Sequence, residues 1–228
     1  MFETLTTLLG IAAAIGLAIH LAIKLRRAAE KRAAAPDLLF AKIKPLIENA
    51  RYEGESGVGY PQLVGRYRDL PVRLYPVIDT LAIRKLPSLW LLVTIPEALP
   101  VRATFDLMMR PAGPTTFSNF DHLPVTLDSL PDLPNYAVVR TDDPEHVLPH
   151  HVVAPHLDIF GDPHAKELLI TPKGLRFVWQ VAEADRARYG VFRQAEFGTV
   201  ELDPYLVSSL LDRLIALRTS ILDWAQPA

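Results

Sequence analysis

Cysteine is absent from the chain, which removes disulfide bridges, thiolate nucleophiles, iron–sulfur clusters and cysteine-ligated zinc in one step. Glycine is scarce, 11 in 228 residues, and its densest stretch, Gly54, Gly57 and Gly59, fails as a phosphate cradle. The dinucleotide-binding spacing breaks at Gln62, and no Gly-Lys-Ser/Thr follows. No serine sits in a Gly-x-Ser-x-Gly setting and no histidines form a His-Glu-x-x-His pair. The body of the chain also lacks a concentrated basic surface. From residue 33 onward, 19 Lys and Arg stand against 24 Asp and Glu. That is the reverse of the balance that displaces counterions from phosphates, so neither a nucleic-acid partner nor a cofactor is expected.

What is present begins with a long apolar run. Residues 4–23 carry no formal charge, and Lys24, Arg26, Arg27, Lys31 and Arg32 follow against a single Glu30. Twenty helical residues at 1.5 Å each span a hydrocarbon core of about 30 Å. Positive charge after the run, rather than before it, places the C-terminal flank in the cytoplasm. The sequence therefore predicts a single-pass signal-anchor in a bacterial inner membrane, with the N-terminus outside and the domain in the cytoplasm. The five basic residues would lie against membrane lipids through their anionic headgroups. Ala14, Ala18 and Ala22 recur every four residues and offer a seam for a second copy or another membrane protein.

Beyond the anchor the pattern changes. In 36–59, Leu38, Leu39, Phe40, Ile43, Leu46 and Ile47 keep a helical period before the glycines, which reads as a docking helix and a linker. From residue 60 a period of two dominates. Residues 63–67 and 72–77 read as strands around an Arg68-Asp69-Leu70-Pro71 turn, and 89–95 is apolar on both faces, as an inner strand requires. Residues 101–109 alternate, with Val101, Ala103, Phe105, Leu107 and Met109 opposed to Arg102, Thr104 and Asp106, so one face is expected to meet water. Residues 111–135 hold five prolines and no sustained period, a lid or strap at which the domain could be subdivided.

A short strand is predicted at 136–140, a helix from Asp143-Pro144, and a hairpin of 166–171 and 175–181 about Pro172-Lys173-Gly174. A final helix starts at Asp203-Pro204 and carries Leu206, Val207, Leu210, Leu211, Leu214, Leu217, Ile221 and Leu222 as one stripe. The predicted fold class is α+β. A transmembrane helix and basic stalk (1–35) and a docking and linker segment (36–59) precede a soluble domain (60–228). In that domain an antiparallel β-sheet is flanked by helices and closed by an amphipathic C-terminal helix.

Five of the seven histidines fall between His146 and His164, beside Asp142, Asp143, Glu145, Asp158 and Asp162. His146 and His150 stand one helical turn apart and, with His151, are the candidate metal ligands, although Pro149 interrupts the turn such a chelate needs. Three functions fit these patterns. The chain could be an accessory or scaffold subunit of a membrane complex, acting through protein–protein contacts without catalysis. It could be a membrane-tethered metal-dependent hydrolase using the His146–His164 cluster. Or it could be a lipid- or ligand-sensing domain with a pocket lined by Phe105, Leu107 and Trp179. The first is favoured because no catalytic motif emerges.

Overall fold

The computed structural model describes residues 38–54, 60–79, 86–127, 133–187 and 195–226, with isolated positions 16, 17, 19, 20, 23, 81, 131 and 189. Nine strands are described: β1 (Glu48–Glu53), β2 (Gln62–Tyr67), β3 (Leu70–Asp79), β4 (Ser88–Ile95), β5 (Phe105–Met109), β6 (Val125–Thr126), β7 (Ala137–Thr141), β8 (Ala165–Thr171) and β9 (Gly174–Glu183). They form one sheet in the order β1-β2-β3-β4-β9-β8-β5-β7-β6, and every neighbouring pair is antiparallel. The late hairpin β8–β9 is inserted between β4 and β5, so the centre of the sheet is completed by the strands made last.

Directly paired residues in an antiparallel ladder point to the same face, so the register sorts side chains into rows. One row runs Leu63, Leu74, Val93, Phe177, Leu168, Leu107, Val139 across seven strands. None of the seven is more than 2% exposed. This is the core face. Against it lie α2 (Pro204–Ala225), through Val207, Leu210, Leu211, Leu214, Leu217 and Ile221, together with Leu39, Phe40, Ile43 and Ile47 and the short segment around α1 (His150–Val153).

Several local features follow from single residues. Asp203 caps α2, its carboxylate accepting from the Tyr205 N–H at 3.0 Å, with Pro204 in the first turn. Arg218 grips Glu97 with two hydrogen bonds, and Arg213 grips Asp158 at 2.5 and 2.9 Å, fixing the helix to the loops at either side. At Gly174, φ is +145° and a Cβ would stand 2.3 Å from the carbonyl oxygen of Ile95, so glycine alone fits the start of β9.

The architecture corrects the predicted fold class. In place of a sheet flanked by helices, the described chain is mostly one large antiparallel sheet with few helices. Among the described residues no helix is long and apolar enough to cross a membrane, because the one long helix, α2, is amphipathic and carries Asp212, Arg213, Arg218 and Asp223. The expected single-pass signal-anchor is therefore not supported, nor is the inner-membrane location inferred from it. Most of 4–23, including Ala14, Ala18 and Ala22, lies outside the described residues, as do Lys24, Arg26, Arg27, Lys31, Arg32 and the glycines at 57 and 59.

Smaller differences have equally plain causes. The first hairpin turns on Arg68 and Asp69 alone, both at positive φ, which leaves Leu70 and Pro71 inside β3. No helix starts at Asp143: its carboxylate accepts from the Glu145 N–H at 3.0 Å and Thr141 Oγ1 accepts from the Asp143 N–H at 3.1 Å, a side-chain turn built from the residue types that also cap helices. All of β5 is buried, including Asp106, where water was expected.

Candidate functional site

The second face of the sheet carries the polar chemistry. Each residue of the apolar row has a sequence neighbour on the opposite side, and these form a parallel row: Arg51, Val64, Arg73, Thr94, Arg176, Leu169, Asp106, Arg140, Thr126. It crosses all nine strands and holds four arginines and one aspartate. Its two halves differ in what covers them.

Over β4, β5, β7, β8 and β9, and as far as the Val77–Ile78 end of β3, the proline-rich segment after β5 lies as a strap. Phe117 and Phe120 pack with Leu92, Met108 and Val178 in a small second core, with Trp90 and Val138 at its margin. The rings of Trp90 and Phe117 stand 5.4 Å apart. Beneath the strap lies a sealed ionic cluster. Glu167 is 0% exposed and Asp106 2%. The Ser118 hydroxyl donates to one Glu167 oxygen, and Arg176 Nη2 donates to the other at 3.1 Å. Arg140, the cross-strand partner of Asp106, reaches outward to the strap carbonyls of Phe120 and Asp121 at 3.4 and 3.2 Å, its guanidinium 5.1 Å from the centre of the Phe120 ring.

Burial, reinforced by the negative charge of Glu167 and only partly offset by Arg176, pushes the Asp106 carboxyl up to about 9. Burial also raises Glu167, against the opposing pull of Arg176, Ser118 and Asp106. Two carboxyls this close cannot both ionise in a dry site. At neutral pH Asp106 holds its proton, and Arg176 and Ser118 donate to the two Glu167 oxygens. Asp106 Oδ1, Arg176 Nε and Arg140 Nε make no hydrogen bond among the described residues. The cluster fastens the strap, and with both carboxyls buried no substrate reaches it.

Among the described residues nothing covers the other half, made of β1, β2 and the N-terminal part of β3. A groove of about 340 Å3 is lined by Arg51, Arg66 and Arg73 around a floor of Val64, Pro71 and Pro96, with Asn49 and Glu53 at one side. Arg51 is already engaged by Glu53, at 3.0 Å from Nε and 2.8 Å from Nη2. Arg66 donates to the Asp69 carbonyl, and Arg73 is exposed and makes no ion pair among the described residues. Beyond Glu53 the surface continues into a second concavity bounded by Tyr60, Gln62 and Tyr75, the last 42% exposed. Sequence reasoning missed this groove because its arginines are separated by strands and turns, and only register brings them together. A visible trace was Arg73, a lone cation between apolar residues of one strand.

The sequence-predicted ligands are not gathered into one site. His146 Nδ1 lies 2.7 Å from Asp143, His164 Nδ1 2.8 Å from Asp162, and His156 Nε2 3.0 Å from Ser220. His150 Nε2 is buried without a hydrogen bond among the described residues, while His151 is exposed. Among the described residues no group of three or more His, Cys, Asp or Glu is placed to hold a metal ion. Phe105, Leu107 and Trp179, expected around a ligand pocket, belong instead to the packed core.

No family model matches the chain, and no curated protein matches it. Among solved structures it is similar to the crystal structure of the mycobacterial trehalose monomycolate transport factor A, TtfA, at 10% identity over 86% of this chain and 97% of that one, with a TM-score of 0.41.

Proposed function

We propose that the chain is an accessory or scaffold protein that works by binding a partner through the open half of its polar sheet face. The observation that carries this reading is the division of that face. One half is closed by the Phe117–Phe120 strap and its buried ionic cluster, and the other presents Arg51, Arg66, Arg73 and Tyr75 to solvent in a continuous concave surface. Arginine and tyrosine are the residue types enriched where proteins grip partners, since both combine a large apolar stem with a directional polar tip. The strongly shifted carboxyls, which in an enzyme would draw attention first, are sealed and occupied with structure.

Photo-crosslinking tests this. Benzoylphenylalanine replacing Tyr75 in the full chain, in its native cell, is expected to give a discrete adduct, and the same group replacing the exposed Ser209 on α2 is expected to give none. Adducts of equal yield from both positions, or none from position 75, overturn the reading.

A further inference from the structure

We infer that the groove between β1 and β3 binds an extended acidic segment of a partner protein, with carboxylates on alternate residues seated on Arg66 and Arg73. The inference rests on the reading of the open face as a binding surface and adds the chemistry of what occupies it.

Charge is the first ground. The chain as a whole is net negative, at −2, yet the groove holds three guanidiniums against the single carboxylate of Glu53. Glu53 takes two donors of Arg51, so a carboxylate already sits in this groove in the fork geometry that guanidinium favours. Arg66, which donates to the Asp69 carbonyl and stands opposite Glu48 in register, and Arg73 are the groove's cations without an ion pair among the described residues.

Spacing is the second ground. Val64 pairs with Arg73, and Arg66 pairs with Pro71, so Arg66 and Arg73 are diagonal neighbours on adjacent strands. Diagonal neighbours stand about 7–8 Å apart. Along an extended chain, side chains on one side repeat about every 7 Å, twice the rise of about 3.4 Å per residue. Two carboxylates at positions i and i+2 of an extended peptide therefore reach both guanidiniums together, whereas a single oxyanion must draw both side chains inward. The floor of Val64, Pro71 and Pro96 offers apolar contact to the residues between. Tyr60 and Tyr75 extend the same track past Glu53.

The test is a fluorescence-anisotropy titration of the full chain with a labelled alternating Glu-Thr decamer. The expected result is saturable binding that weakens as salt rises from 50 to 500 mM and is absent for the Gln-Thr decamer. Arg66→Ala with Arg73→Ala should weaken binding at least tenfold at an unchanged melting temperature. Arg102→Ala, an exposed arginine elsewhere, should leave it unaltered. Should the double alanine variant melt lower, Arg66→Lys with Arg73→Lys retains charge and fold and is expected to bind several-fold more weakly, since lysine loses the bidentate geometry.

Equal affinity in the alanine or lysine pair, or equal binding of the Gln-Thr peptide, overturns the inference. So does full displacement by 10 mM inorganic phosphate at matched ionic strength, which would mark a small oxyanion site instead. If position 75 crosslinks a partner but the acidic peptide fails to bind, the binding surface stands and its assignment to an acidic segment falls.

Discussion

Replacing Asp106 by Asn should stabilise the protein at neutral and alkaline pH, and the size of the effect follows from where the carboxyl sits. In the unfolded chain it ionises near 3.8, whereas in the folded chain it ionises at about 9, so folding at pH 7 requires it to take up a proton. The sign is fixed by that direction. Between roughly pH 4 and 9 the folded state binds more protons than the unfolded one, so stability is fully present below pH 4 and declines as pH rises towards 9. At about 1.4 kcal/mol per pH unit, three units amount to about 4 kcal/mol at pH 7.

Asparagine folds without that proton uptake, and its amide donates to Glu167 as the protonated acid does. Against this, it buries an N–H with no acceptor, at a cost of about 1–3 kcal/mol. The net expectation at pH 7 is a gain of about 1–3 kcal/mol, rising with pH and disappearing near pH 5. Urea unfolding of both proteins at one-unit intervals from pH 5 to pH 9 reads this as two stability curves that cross on the acid side. A constant offset between parallel curves would refute the reasoning, because it would mean that Asp106 is ionised in the folded protein over the whole range.

Gly174→Ala forces a Cβ to within 2.3 Å of the Ile95 carbonyl oxygen at a positive φ, so a loss of at least about 2 kcal/mol is expected in thermal or urea unfolding. Ser118→Ala leaves one oxygen of buried Glu167 without its donor, at a cost of about 1–3 kcal/mol. Its signature is faster amide exchange in the strap around Phe117 and Phe120 than in β4, and unchanged strap protection would remove the latch. Arg218 holds the Glu97 carboxyl below its usual range, so that contribution is present above the usual carboxylate pKa and lost as pH falls through the depressed one. Glu97→Gln should therefore lower the melting temperature at pH 7, by an amount that shrinks as pH falls through the acid range.

What could be read from sequence was the part governed by local period. Leu175, Phe177 and Trp179 alternate along their strand, and α2 repeats its leucines at three and four, so these two buried faces were visible residue by residue, whereas 89–95 is apolar on both sides and shows no face of its own. The Pro172-Lys173-Gly174 turn was legible because only a few residue types fit it. Sequence order, however, hides the insertion of β8–β9 between β4 and β5, and with it the meeting of Asp106, Glu167 and Arg176. Alternation placed Asp106 on a water-facing side, and as a statement about direction that holds. What alternation does not contain is the aperiodic strap that later covers that side. The Asp143-Pro144 start was misread for a different reason, since aspartate serves a side-chain turn and a helix cap through the same hydrogen bond to the backbone.

A single row of side chains therefore yields opposite chemistry at its two ends, and the strap decides which. Under Phe117 and Phe120 the polar groups are desolvated, so Asp106 keeps its proton and Glu167 is held by Arg176 and Ser118 in a buried fastening. Past Thr94 the same row leaves the strap and keeps its guanidiniums in water, where Arg73 is exposed and makes no ion pair among the described residues. A partner segment carrying carboxylates would do for Arg66 and Arg73 what Glu167 does for Arg176, in a place where water still competes. That contact should consequently be weak per residue, sensitive to salt, and readily reversed.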